Sequence, residues 1–523
     1  MTPNLLDPPS ASSPGAGGQT PLPPASVLSP PQWPDVARDL EVDKLVEAMA
    51  AGDDYVRKVA QAVLAAASGT GDAARVLHRQ AALRDALAHP AEVRELYDLV
   101  IESIESRKQH IVSLDLLAQH PGWTLHSAID MLQALLVYLQ RLRKHALALE
   151  SSFASVAFRD LFAQLRTELD EPWMAEARSE LAALGFRDGM LFGASLGAGN
   201  HIGTQVLYVG GGERVNWWAR LLGKAAPQFA FRLHPRDEAG ARALSEIGDR
   251  AINEVANALA QATEHVFAFL DTLRGELAFL LGCVRLHERL AALDVATCMP
   301  EIGDDALQLR TSALRDPTLA LTLGRAPADN DVNAAAALLI VVTGTNQGGK
   351  STLLRALGLA QLMFQAGMFV AARNYAGGMR CGIYTHHKRE EDAAMRGGKL
   401  DEELVRISAI ADWIGPGALW LSNESFASTN EREGSQLLLD VVEAFRERDI
   451  AVYMVTHLFD AARRLASARR GDALFLRAPR AERGVRSYRL EVGAALDTSF
   501  SADVYAELFG GDAPPLARDG TDR

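Results

Sequence analysis

The sequence predicts a multidomain chain in which an all-α region is followed by an α/β domain built around a phosphate-binding loop. Three observations predict it. Apolar residues recur at helical spacing from about Leu40 to Leu184 and again from about Gly240. From about residue 300 to 508, short apolar runs alternate with helical patterns, as in a doubly wound α/β domain. Within that stretch, Thr343–Thr352 reads T-G-T-N-Q-G-G-K-S-T and contains G-x-x-x-x-G-K-[ST] from Gly344 to Ser351.

Residues 1–38 are rich in Pro, Ser, Gly and Ala and bury too little apolar surface to fold, so they are expected to form a disordered tail. Residues 39–300 are expected to be helical. Val93, Tyr97, Val100, Ile104 and Ile111 mark one stripe, and Ile129, Leu132, Leu135, Leu136 and Leu139 another. A glycine-rich insert at about 190–235 carries two strand candidates, Gln205–Val209 and Gln228–Leu233. A long stripe follows through Leu244, Ile247, Val255, Leu259, Val266, Leu270, Leu273, Leu277 and Leu280. It fits either one lever of about 40 residues, about 60 Å long, or two helices broken near Gly275. The α/β domain is expected over 301–508 and a flexible tail over 509–523.

The bulk composition sets limits. The chain has 523 residues, 48% of them apolar, and a net charge of −13. That charge argues against a chain basic throughout but leaves room for a local basic groove. Three scattered cysteines, Cys283, Cys298 and Cys381, give no disulfide framework and fit a reducing cytoplasm. No charged segment followed by an apolar core opens the chain. The most apolar helical stretch, Val266–Val284, carries Asp271, Arg274 and Glu276, which suits a packed helix and not a membrane span.

The glycine loop sits where its chemistry needs it. Ala337–Val342 is an apolar run of strand length, and Leu353–Leu357 opens a helix. In such a loop, Gly344, Thr345, Asn346, Gln347, Gly348 and Gly349 wrap backbone N–H groups around phosphates at a helix N-terminus. Lys350 would reach the β/γ-phosphates of ATP, and Ser351, followed by Thr352, would ligate Mg²⁺. A second strand should end in acids, and Ala418–Glu424 is the best candidate, an apolar run that ends in the single carboxylate of Glu424. Glu424 is the candidate to polarise the attacking water. Asn423 occupies the position where a metal-binding Asp is usual, and its amide accepts a hydrogen bond but brings no charge. A helix over Ser435–Arg448 and a strand over Ile450–Thr456 then lead to His457, placed to sense the γ-phosphate.

Taken together, T-G-x-N-x-G-G-K-S-T, the strand ending at Glu424, F-x-x-T-N-x-x-E-G from Phe426 to Gly434, and Thr456-His457 resemble the MutS ATPase domain. The likeness is strong over about Ile340–Asp460 and extends more weakly through the helical region. It implies an ABC-type ATPase that uses ATP and Mg²⁺, closes as a dimer, expected to be a homodimer, and grips DNA with helical arms, reading DNA structure more than base sequence. It is a short form: the resemblance finds no N-terminal mismatch-recognition domain, and the one Phe-x-Glu lies at Phe445–Glu447 inside a helix of the ATPase. The family's trans-acting signature aligns with Gly398–Leu404, where Gly398 replaces its serine. The aromatic that stacks on adenine is missing near Pro327–Asp331. With Asn423, these departures point to slow hydrolysis. They leave open a second reading, an ATP-gated scaffold that binds a protein partner.

Other motifs weigh less. Gly193–Gly197 matches G-x-S-x-G but lacks a following helix, and reads as a turn. His386 and His387 with Glu390, Glu391 and Asp392 read as a solvated loop rather than a metal site. Trp217 and Trp218, with Arg214, Arg220 and Lys224 nearby, read as a buried aromatic pair beside surface charge, with nucleic-acid stacking as the alternative.

Overall fold

The computed structural model describes residues 3–8, 29–111, 121–184, 191–196, 202–208, 238–335, 337–345, 347–389, 398–468, 471–479 and 487–494. The chain divides into two compact units, Met1–Leu5 with Ala91–Leu277 and Leu6–Pro90 with Ala278–Arg523. All three cysteines, Cys283, Cys298 and Cys381, belong to the second unit and are unpaired.

Four helices come first: α1 (Trp33–Asp39), α2 (Val42–Ala50), α3 (Asp54–Ala67) and α4 (Ala73–Ala88). Asp53 and Asp72 start the last two by accepting the first free N–H groups of each helix. Val42, Leu45, Val46 and Met49 of α2 and Val56, Ala60, Val63 and Leu64 of α3 are buried, as the spacing of an amphipathic helix requires. The sequence reading put residues 39–90 with the helical region; in the structure α1 to α4 fall in the unit that holds the large sheet. Periodicity reveals that a helix has an apolar face, not which partner covers it.

The expected disordered tail also needs correction at both ends. Leu5 and Leu6 are fully buried. The Leu6 carbonyl accepts from Arg79 Nε at 2.8 Å, and Asp7 pairs with Arg75 at 2.8 Å. Residues 29–38 run into α1. Two leucines and an aspartate are enough to anchor a segment whose average composition hides them. Residues 9–28 and 495–523 lie outside the described residues.

The first unit contains α5 (Pro90–Ile111), α6 (Pro121–Leu149), α7 (Val156–Glu168) and α8 (Glu171–Leu184). Antiparallel strands β1 (Leu191–Leu196) and β2 (Ile202–Tyr208) follow. Its core joins Leu125, Ile129 and Leu136 of α6 to Met174, Leu181 and Leu184 of α8 and Ala256 of the next helix. Gly193–Leu196, read as a turn, lie in β1, paired to β2. The strand candidate Gln228–Leu233 and the Trp217–Trp218 pair lie outside the described residues.

Helix α9 (Glu238–Ala291) is continuous over 54 residues, so the single-helix alternative holds and no break occurs at Gly275. Every residue from Gly275 to Val284 is buried. Packing on all sides offsets the roughly 1 kcal/mol that a helical glycine costs. Gly282 has a positive use: a Cβ there would come within 3.1 Å of Val56 Cγ1 and 3.4 Å of Met49.

The α/β part of the second unit starts with β3 (Glu301–Ile302), β4 (Leu309–Leu314), α10 (Pro317–Leu323) and β5 (Asn330–Ala334). Then come β6 (Leu339–Gly344), α11 (Lys350–Gln365), β7 (Asn374–Gly377) and β8 (Ile383–His387). They are followed by α12 (Lys399–Trp413), β9 (Leu419–Asn423), α13 (Glu431–Arg446) and β10 (Ala451–Val455). The last are α14 (Phe459–Ser467), β11 (Ala473–Ala478) and β12 (Glu491–Val492). The large sheet runs β12-β11-β6-β10-β9-β8, parallel except for the antiparallel edge strand β12. A smaller mixed sheet runs β3-β7-β4-β5.

Strands β6, β9 and β10 are buried on both faces, which is why they read as continuous apolar runs. On one face Leu339, Val341, Trp420, Val452 and Met454 pack with Ile407 and Ile410 of α12 and Leu438, Val442 and Phe445 of α13. Helix α11 is buried almost throughout its length. This topology brings the C-terminal ends of β6, β9 and β10 side by side. The glycine loop, Asn423–Glu424 and His457 therefore converge at the C-terminal end of the central strands.

Candidate functional site

The glycine loop joins β6 directly to α11, with Gly349 as the helix N-cap in the left-handed conformation, φ 87°. Gly344 takes φ 115°, and a Cβ there would lie 2.6 Å from the Ala478 carbonyl oxygen at the end of β11. Only glycine fits both the angle and the approach. Gln347 is held at φ 58°. Gly348 would carry a Cβ 2.6 Å from that of Ala478. Asn346 lies outside the described residues.

Lys350 is buried and folds back on the loop, its Nζ donating to the Gly344 carbonyl at 3.0 Å and to the Thr345 carbonyl at 2.8 Å. Burial pulls its ammonium down to about 8, against the opposing pull of Glu424. A cation held by two carbonyls is charged at neutral pH and has lost much of its water, so an anion in the loop would be a strongly favoured third partner.

Ser351 Oγ donates to Asn423 Oδ1 at 3.0 Å. These neutral oxygens tie the start of α11 to the end of β9. Oxygen ligands suit Mg²⁺. Among the described residues no group of three or more His, Cys, Asp and Glu could hold a metal ion. Two neutral side-chain oxygens fit a Mg²⁺ that brings phosphate and water ligands with it.

His457, after β10, donates from Nε2 to Glu424 Oε1 at 2.9 Å. Glu424 follows β9 with φ 57°, and its N–H is fixed by the Val455 carbonyl at 2.9 Å. The hydrogen bond from His457 is the main reason the Glu424 carboxyl lies below its ordinary range, against the raising effect of burial. Glu424 is thus ionised at neutral pH and accepts hydrogen bonds only.

A cavity of about 1040 Å³ gathers these groups: Gln347 to Thr352, Glu424 and His457 all line it. The structure brings Lys350, Ser351, Glu424 and His457 together as the sequence reading anticipated, and puts Asn423 beside Ser351. Three further contributions carry no motif. Arg325 to Ala328, after α10, form one wall without an aromatic ring. Phe459 and Tyr488 supply rings from beyond β10 and β11. Asn330 Nδ2 donates to the Tyr488 carbonyl at 3.3 Å, and the Leu490 N–H donates to Asn330 Oδ1 at 2.7 Å, pinning this segment against the loop. No motif in the sequence marks Tyr488; the pairing of β12 with β11 brings it to the cavity.

Arg355, one turn into α11, pairs with Asp316 at 2.6 Å and with Glu41. His386 and His387, read as a solvated loop, end β8 instead. His386 is wholly buried, and burial brings it down to about 3, so it is neutral. Two adjacent histidines at the end of a strand buried on both faces give no polar warning of that. Glu390, Glu391 and Asp392 lie outside the described residues. Gly398 caps α12 with no side chain to offer, in place of the serine of the resemblance.

A parallel sheet, a glycine loop at a helix N-terminus, and a carboxylate–imidazole pair on the adjoining strands define an α/β unit arranged to receive a phosphorylated ligand. Comparison with known proteins gives the family. The MutS2 N-terminal domain matches residues 71–293, and MutS domain V matches residues 340–506. The chain is 32% identical over 269 residues to an Endonuclease MutS2 of Anaeromyxobacter sp. (strain Fw109-5), covering 48% of this chain and 31% of that protein. It is 30% identical over 211 residues to the Endonuclease MutS2 of Streptococcus equi subsp. equi (strain 4047), covering 39% and 26%. It is 27% identical over 237 residues to the DNA mismatch repair protein MutS of Granulibacter bethesdensis (strain ATCC BAA-1260 / CGDNIH1), covering 42% and 25%. The chain belongs to the MutS family. It spans about a quarter to a third of the length of these relatives. No helix among the described residues is long and apolar enough to cross a membrane.

Proposed function

We propose that the chain is an ABC-type P-loop ATPase of MutS kind, in which bound ATP drives closure of a dimer on DNA during repair or recombination. The observation that carries this reading is the hydrogen bond from His457 to Glu424 on the rim of the cavity that also receives Lys350. A phosphate-binding loop alone would serve many ends. A fixed carboxylate beside it is what hydrolysis adds.

ATP would lie with its phosphates along Gly344–Thr352, Lys350 would bridge the β- and γ-phosphates, and Tyr488 would offer a ring to the base. When bound with the nucleotide, Mg²⁺ supplies charge neutralisation at the phosphate oxygens. Ser351 and Asn423 would face it, directly and through water. Glu424 would align a water with the γ-phosphorus, and His457 would hold Glu424 ionised and correctly turned. Nucleotide state would act on the helical arms only if ATP binds the closed and open forms with different affinity. DNA contacts would be to phosphates and shape, so binding should weaken steeply with salt. The test is hydrolysis by the purified chain, alone and with homoduplex, mismatched and branched DNA.

A second reading has its own support. Asn423 brings no charge to the metal, Gly398 no hydroxyl, and the chain carries a net charge of −13. These favour an ATP-gated scaffold that turns over slowly and binds a protein partner. ATP binding without DNA-dependent hydrolysis would select it.

A further inference from the structure

We infer that Glu403 is a positioning residue for Glu424: its buried carboxylate holds the turn that aims the water-aligning side chain. The inference rests on the ATPase reading and adds a residue that does not line the cavity.

The turn after β9 needs holding. Glu424 and Phe426 both sit in the left-handed region, at φ 57° and 60°. Neither is glycine, so this backbone persists only where contacts outweigh its cost. Glu403, on α12, provides two of those contacts. Its Oε2 accepts from the Phe426 N–H at 2.5 Å, and its Oε1 accepts from Ser428 Oγ at 2.6 Å. Ser425, between the two strained residues, is held by His386 Nδ1 at 2.6 Å and by Ser422 Oγ at 2.7 Å. The Phe426 ring is fully buried and stacks on His386 with centroids 6.2 Å apart.

The Glu403 carboxylate is itself unusual. It is 5% exposed, and among the described residues no lysine or arginine makes an ion pair with it. A buried carboxylate without a cation is costly unless hydrogen bonds satisfy it. Here both oxygens are satisfied by the turn that carries Glu424. A residue serving only to pack α12 against the sheet would be apolar, as Ile407 and Ile410 on the same face are. Without the carboxylate, the Phe426 N–H loses its acceptor and the turn can relax to negative φ. Glu424 lies two residues away, so its carboxylate would leave His457.

The test uses the full chain with E403A and E403Q, measuring kcat and KM for ATP, ATP affinity, and hydrogen exchange in the peptide spanning 424–429. For E403A the expected result is a kcat lower by roughly 100-fold, with KM and affinity within about threefold of the parent. Exchange should speed up at 424–429 and stay unchanged in the glycine loop. E403Q keeps an amide oxygen for the Phe426 N–H and should recover kcat to within about tenfold of the parent. An unchanged kcat in E403A, or an equal loss of kcat, affinity and global protection in both variants, would overturn the proposal. If the parent chain binds ATP but hydrolyses none, the ATPase reading fails on its own. The exchange measurement then decides: faster exchange at 424–429 in E403A upholds the role of Glu403 in holding the turn, and unchanged exchange overturns it.

Discussion

His457 Nε2 donates to Glu424 Oε1 at 2.9 Å, and this bond joins the ends of two adjacent parallel strands, β9 and β10, at the mouth of the cavity. The imidazole holds the carboxylate ionised and fixes its direction. Each partner should therefore be needed for turnover and dispensable for binding. Glu424→Gln should lower hydrolysis by roughly 100-fold or more, and His457→Ala by at least about tenfold, while ATP affinity changes little. Steady-state hydrolysis beside equilibrium nucleotide binding checks this. A variant that loses both together would indicate damage to the fold.

Lys350 gives a pH dependence with a definite sign. Its value of about 8 in the free protein lies below the ordinary 10.5 because of burial. Phosphate oxygens beside it would raise that value, so above about pH 8 binding must take up a proton. Affinity for ATP should be level below that point and should weaken by up to about tenfold per pH unit above it. Lys350→Met should bind weakly at every pH and remove the slope. Titration of nucleotide affinity from pH 6.5 to 9.5 is the check; a flat profile in the parent chain would exclude a phosphate contact by this lysine.

Asn423 should limit the metal. Replacing it with Asp adds a charge 3.0 Å from Ser351 Oγ without changing the shape of the side chain. Asn423→Asp should lower the Mg²⁺ concentration needed for half-maximal hydrolysis by about three- to tenfold. Neither chain should bind Mg²⁺ measurably without nucleotide. Calorimetry with Mg²⁺ alone, beside a Mg²⁺ titration of hydrolysis, separates the two statements.

Gly344 is required by geometry and not only by the motif. Gly344→Ala forces a Cβ to 2.6 Å from the Ala478 carbonyl oxygen at φ 115°. The expected cost is about 2–4 kcal/mol of stability together with loss of ATP binding. Thermal unfolding of the nucleotide-free chain measures the first part, which no chemical role of the loop would explain.

Much of the site was legible because it is local. Strand, glycine loop and helix follow one another within residues 339–365, and Glu424 and His457 each end a buried strand, so apolar runs located them. What sequence could not provide was partnership between distant segments. Tyr488 reaches the cavity through the pairing of β12 with β11, and Arg325–Ala328 reach it from beyond α10. Glu403 falls on the glutamate of the signature aligned over Gly398–Leu404, but that alignment says nothing of its partners at Phe426 and Ser428. Leu6 and Asp7 were hidden in a segment read by its average composition. The length of α9 was open because glycines weaken a helix, and burial around Gly275 and Gly282 decided it.

The proposed activity is ATP hydrolysis at Glu424 under the control of DNA. The most direct measurement is steady-state ATP hydrolysis by the purified chain with Glu424→Gln as the blank, alone and with homoduplex, mismatched and branched DNA at low and high salt. Activity above the blank is expected, changed at least severalfold by one DNA structure, with that effect fading as salt rises. Hydrolysis no greater than the blank under every condition would contradict it.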